Sequence, residues 1–226
     1  MLKMIRLFVG IFLCSSSTVF MLNSNLGLLP WDVFHQGISK VIGLDIGITT
    51  VIVSFIVLII SFILEEKIGF GTLVSIVGGG ILVDIINNSN IIPKATNIYS
   101  GLFMILIGMI VMGIGCYFYI SCGLGCGPRD STMIGFSKKL NKSVQLIKVV
   151  MEVTALIVGV ILGGKFGLGT IIPALFLGVF IELPFKIAKC DVKQIKHKSL
   201  KESYLHIIYS LKLNRDKNII FNPSHN

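Results

Sequence analysis

Apolar residues in this chain run on without the polar interruptions that would give a helix one wet face. Residues 51–64 and 102–119 contain no charged side chain. Helices that are apolar all round belong in lipid, where about 20 such residues cross the hydrocarbon. The pattern predicts three spans in the first half, about 4–22, 46–64 and 71–86, and three in the second, about 102–120, 144–162 and 169–186. The third span of each half is near the lower length limit, which predicts tilt, local thinning or a partly broken helix. Between the first and second spans lie segments of intermediate polarity, 30–43 and 128–141, each opening on Pro with Asp two positions later. Pro suits the first helical position and an acid suits the first turn, so both read as short helices, surface-lying or re-entrant.

The two halves are copies. A shift of ninety-eight residues lays Leu26-Gly27 on Leu124-Gly125, Pro30 and Asp32 on Pro128 and Asp130, and Gly69, Gly71 and Thr72 on Gly167, Gly169 and Thr170. Between residues 26 and 84, 17 of 59 positions are identical, against roughly a tenth from apolar composition alone. Gly37, Ser39 and Lys40 also match Gly135, Ser137 and Lys138, and residues of these types are not aligned by hydrophobic bias.

Three spans per half, an odd number, place the second copy upside down relative to the first. Charge gives the same answer independently. With the N-terminus inside, Lys3, Arg6, Lys67, Arg129, Lys138, Lys139, Lys142 and the basic tail are cytoplasmic, while Lys40, Lys94 and Lys165 lie opposite, as the positive-inside rule requires. The expected architecture is an all-α membrane protein of six transmembrane helices, a three-plus-three inverted repeat with short intervening helices. Both termini are expected to be cytoplasmic. Residues 1–97 form the first repeat, 98–188 the second, and 189–226 a basic tail in which Leu200, Tyr204, Ile207, Ile208 and Leu211 share one face of an amphipathic helix suited to anionic lipid or a docking partner.

Composition supports this class, with 54% hydrophobic and 14% charged residues. The net charge of +9 comes largely from lysines following the last apolar segment, and no helix-turn-helix, zinc-finger or aromatic-basic motif accompanies it, which argues against nucleic acid. Five cysteines without His partners form neither a disulfide framework nor a metal site. The first segment has an internal counterpart, Gly10 falling on Gly108 and Phe20 on Phe118, so it reads as a span rather than a signal peptide. No Walker loop, metalloprotease or nucleophile-elbow motif occurs. The chain is therefore expected to be no enzyme and to need no cofactor.

Glu152 lies near mid-depth of the fifth span, where a charge costs about 2.5–3.5 kcal/mol on the translocon scale. Lys148 one turn earlier is a candidate ion-pair partner, and the counterparts of the two in the first repeat are Ser54 and Thr50. The pair is either structural or part of a path for a solute, ion or proton. Trp31, Asp32 and His35 are expected to line one entrance, and Arg129 and Asp130 the other; helix-start chemistry is the alternative. Asp84 and Glu182 are matched acids at the ends of the third spans, in reach of interfacial water or acting at a gate. Gly69-Phe70-Gly71-Thr72 and Gly167-Leu168-Gly169-Thr170 open those spans with free amides that favour anions, or else serve tight turning. Gly78-Gly79-Gly80 and the Gly159, Gly163 spacing read as helix-contact surfaces.

Residues 25–37, Asn-Leu-Gly-Leu-Leu-Pro-Trp-Asp-Val-Phe-His-Gln-Gly, together with Gly125-Cys126-Gly127-Pro128-Arg129-Asp130 and Gly167-Leu168-Gly169-Thr170, resemble the YczE/YitT-like bacterial integral membrane proteins. The resemblance covers about residues 4–188 and is closest to the YczE branch, lacking the soluble C-terminal domain of YitT-type relatives. It implies a multi-span bacterial membrane protein and names no substrate. The leading expectation is a secondary transporter of a small polar or charged solute by alternating access, with the lipid bilayer and a small-molecule substrate as partners. The competing reading is a non-transporting membrane scaffold or regulatory subunit contacted through the tail. Oligomeric state is not encoded in these patterns.

Overall fold

The computed structural model describes residues 2–44, 46–67 and 69–195. Among them the regular structure is helical: α1 Leu2–Asn23, α2 Pro30–Ile42, α3 Ile46–Ile63, α4 Phe70–Asn88, α5 Ile98–Ser121, α6 Pro128–Lys139, α7 Val144–Ile161 and α8 Leu168–Ile187, then a short 3-10 turn at Val192–Gln194. Five helices, α1, α4, α5, α7 and α8, are long and apolar enough to cross a membrane, and α3 contributes a shorter apolar stretch, Ile48–Ile63. Large apolar side chains such as Phe55, Phe62, Val77, Phe103 and Ile161 are exposed on the outside of the bundle, where lipid rather than water is the fitting solvent. The amphipathic stripe expected at Leu200–Leu211 lies outside the described residues.

Local chemistry sets the helix ends. Pro30 and Pro128 open α2 and α6, with Asp32 and Asp130 in the first turns. Asn97 caps α5 by accepting from Ser100 N at 2.8 Å, and Ser143 caps α7 by accepting from Leu146 N at 3.2 Å. The Thr72 and Thr170 hydroxyls accept from Gly69 N and Gly167 N at 3.2 and 3.1 Å, closing the starts of α4 and α8. Neither third helix is broken, contrary to one reading of the sequence: α4 has 19 residues and α8 has 20, and α8 continues through Pro173 and Pro184. Helical chain beyond the apolar window supplies the extra length.

The helices pair across the repeats. α1 and α5 form the central antiparallel pair: Arg6 donates to Ser121 at one end, and a Cβ on Gly101 would meet Ser24 O at the other. α2 packs on α7 and α6 on α3, so each short helix rests on the second long helix of the opposite repeat. Gly159 makes one of these contacts, since a Cβ there would stand 2.6 Å from Phe34 N. The loops cross as well. Leu26 O accepts from Gly169 N and Leu124 O from Gly71 N, each at 2.8 Å. The tight approach depends on Gly27 and Gly125, whose φ of +133° and +103° disfavour residues with a Cβ.

One relationship departs from this symmetry. α8 packs along α7, whereas α4 makes no comparable contact with α3 and lies mainly against α1. A Cβ on Gly178 would meet Gln145 O at 2.6 Å, but one on its counterpart Gly80, or on Gly79, meets nothing within 4 Å. The Gly78-Gly79-Gly80 run is thus not the close-packing surface expected from its composition. The Ser15 hydroxyl of α1 donates to Gly79 O in this run at 3.1 Å.

Candidate binding cavity

The first turns of α2 and α6 converge on a cavity of about 370 Å³ that α1, α3, α4, α5, α7 and α8 also line. Twenty of its 25 lining residues form ten pairs related by the ninety-eight-residue shift, among them Pro30 with Pro128, Asp32 with Asp130, Met21 with Tyr119 and Ser54 with Glu152. A lining built from equivalent positions places the cavity where the two repeats meet. Trp31 and Arg129 are such a pair, and the Arg129 guanidinium lies over the Trp31 ring, 4.6 Å from its centroid. A desolvated contact of this kind contributes about 2 kcal/mol.

This geometry corrects the expectation of two separate entrances. Trp31, Asp32, Arg129 and Asp130 line one chamber because both short helices start deep in the bundle and point their first turns inward. His35 is 1% exposed and sits behind that wall. Its Nε2 lies 3.4 Å from Arg129 Nη2 and its Nδ1 lies 3.2 Å from Thr50 Oγ1. Guanidinium has only protons to offer, so Nε2 presents its lone pair and the ring carries its proton on Nδ1. The imidazole is therefore neutral and positions Arg129 rather than adding charge.

In the same chamber Lys148 Nζ stands 3.0 Å from Glu152 Oε1 and 3.9 Å from Asp130 Oδ1, and Tyr119 donates its hydroxyl proton to Asp130. Lys148 and Glu152 are 7% and 3% exposed. Pairing offsets the cost that either charge would incur alone at this depth. Asp32 differs from these groups: its side chain is 47% exposed and its nearest partner is His35 Nδ1 at 3.9 Å.

Other candidates fall elsewhere. Asp84 is exposed on α4 and is not part of the cavity wall. Glu182 accepts from Gln145 N at 2.8 Å and pairs with Lys186 at 2.9 Å, so it caps α7 rather than facing the chamber. The amides of Gly69 and Gly167 are spent on the Thr hydroxyls, those of Gly71 and Gly169 on the crossing loops, and those of Thr72 and Thr170 on the Gly69 and Gly167 carbonyls. That arrangement is the tight-turn reading of Gly69, Gly71, Thr72, Gly167, Gly169 and Thr170, and it leaves those amides closed to an anion. Tyr119 escaped the sequence reading because its repeat counterpart is Met21, so no matched polar pair marked it.

Residues 1–186 match a family described as "Family of unknown function (DUF6198)". An uncharacterized protein of Haemophilus influenzae is 32% identical over 159 residues, 70% of this chain and 72% of its own length. The uncharacterized membrane protein YczE of Bacillus subtilis is 32% identical over 157 residues, covering 69% and 72%. The uncharacterized protein YyaS of the same organism is 26% identical over 178 residues, covering 77% and 88%. No solved structure matches the chain.

Proposed function

This chain belongs to DUF6198, the YczE-like family of membrane proteins of unknown function, and we propose that it is a secondary transporter that moves a small polar or charged solute by alternating access. The observation that carries this reading is the meeting of repeat-related first turns, Trp31-Asp32 and Arg129-Asp130, in one chamber. Transporters built from inverted repeats place their site at the repeat interface, with helix N-termini aimed at it. In this reading α3 is the sixth span, the halves form a three-plus-three inverted repeat in a bacterial cell membrane, and both termini are cytoplasmic. The protein binds and releases its solute without chemical conversion.

The unequal packing of the third helices supports alternation. α8 is closed on α7 while α4 stands away from α3, so exchanging the two repeat conformations closes α4 and frees α8. The chamber then opens on the opposite side, with α4 and α8 trading places as its fixed and movable walls. A ligand drives the exchange only through different contacts in the two states.

Full-length protein reconstituted alone in liposomes tests the proposal. Saturable solute flux that is absent with Glu152→Gln, while the variant still inserts and stays monodisperse, supports it. A protein inert alone that is recovered only within an obligate complex favours a scaffold.

A further inference from the structure

Three polar groups on the chamber wall keep bonding capacity that the protein does not use. Guanidinium has five N–H donors, yet Arg129 makes one long bond to His35 and a face contact with Trp31. Among the described residues no carboxylate lies within ion-pair distance of it. Trp31 Nε1 is buried with no hydrogen-bond partner. The Asp32 carboxylate is half-exposed on the same wall, with His35 Nδ1 at 3.9 Å. Lys148, Glu152, Asp130 and Tyr119, by contrast, are engaged with one another.

Arg129 and Asp32 flank the His35 ring, Arg129 at Nε2 at 3.4 Å and Asp32 at Nδ1 at 3.9 Å, so a donor group and an acceptor group stand near each other on the wall without being paired. A carboxylate alone would satisfy Arg129 and Trp31 but would compete with Asp32 and Glu152 for the Arg129 charge that both of them face. An amine alone would satisfy Asp32 and leave the buried donors unpaired, and an unmade bond at a buried group is the expensive outcome. A solute carrying both charges meets all three. The rest of the wall is largely apolar, including Ile11, Ile76, Leu177 and Ile181. A volume of about 370 Å³ is room for roughly a dozen waters, enough for a small amino acid with some hydration.

We infer that the chamber binds a small zwitterion of the amino-acid class with an apolar side chain, its carboxylate on Arg129 and Trp31 Nε1 and its ammonium on Asp32. The inference rests on the chamber being the solute site of the proposed transporter, and it deepens that reading by giving the substrate class.

The test titrates detergent-purified full-length protein with each of the twenty standard amino acids and reads thermal stabilisation, which follows from ligand binding to the folded state. The strongest binder is then compared with its decarboxylated amine and its desamino acid. An apolar amino acid should bind at least tenfold more tightly than either analogue. Asp32→Asn should narrow the gap between zwitterion and desamino acid, and Arg129→Gln should narrow it for the amine. Replacing Trp31 by 3-benzothienylalanine, which puts sulfur where the N–H was and keeps both rings under Arg129, should weaken carboxylate-bearing compounds alone, so the inference stays testable if the Arg129 variant fails to fold. No stabilisation by any amino acid, or an analogue binding as tightly as the zwitterion, overturns it. Binding without flux in liposomes would sink the transport reading and leave the ligand class standing; flux of a solute carrying a single charge would do the reverse.

Discussion

Gly178 is pressed against the Gln145 carbonyl of α7, where an added Cβ would stand 2.6 Å from the oxygen, while Gly80 at the same place in the first repeat has nothing within 4 Å. Identical residues at equivalent positions thus have opposite packing. Gly178→Ala should destabilise the bundle by about 1–3 kcal/mol, the usual cost of overpacking. Gly80→Ala should be neutral or slightly stabilising, because helix propensity favours Ala. Melting curves of the two variants in the same detergent check this pair of outcomes.

The buried pair on α7 makes a second prediction. Removing one partner leaves an uncompensated charge, which typically costs 3–5 kcal/mol, whereas replacing both with apolar residues is often near neutral. Lys148→Met should therefore lower the melting temperature more than the double change Lys148→Met with Glu152→Leu. A double variant as unstable as the single one would show that Lys148 answers mainly to Asp130, 3.9 Å away.

Thr72 and Thr170 perform one task twice, each accepting a glycine amide at the start of a third helix. Thr72→Val and Thr170→Val keep the shape and remove the acceptor. Thr72→Val should cost about 0.5–2 kcal/mol, the usual value of a helix cap, and Thr170→Val more, because the Thr170 hydroxyl also donates to Leu28 O. Hydrogen exchange should show faster amides at Gly69 in the first variant and at Gly167 in the second.

Orientation in the membrane is tested by labelling. In a cysteine-free background, single cysteines at Lys40 and Lys165 should react with an impermeant reagent from outside, and those at Lys139 and Lys142 should not. External labelling at Lys139 would overturn the inverted arrangement.

Much of this architecture is legible in the sequence because its signals are local or periodic. Uncharged runs mark α5, Pro with Asp marks the starts of α2 and α6, and the shift that lays Gly27 on Gly125 pairs the loops before any contact is known. Lys148 and Glu152 are brought together by spacing alone, one turn apart on a helix. What the sequence leaves out is depth. Nothing local tells whether the short helices lie on the surface or start within the bundle, so Trp31 and Arg129 read as two entrances although they touch. Tyr119, whose repeat counterpart is apolar, and the loose seat of Gly80 depend on which helices pack, a relation between distant segments that no window of residues encodes.

The crossing loops also bear on how the protein is made. Gly71 N, at the start of α4, finds its acceptor at Leu124 O in the second repeat, while Leu26 O receives Gly169 N. A ribosome releasing the first half therefore delivers four helices, α1 to α4, of which the start of α4 still lacks its partner until the chain beyond Leu124 has been made. Neither half is a finished folding unit. Two half-length polypeptides made in one cell should seek each other out, each supplying the carbonyl that the other lacks.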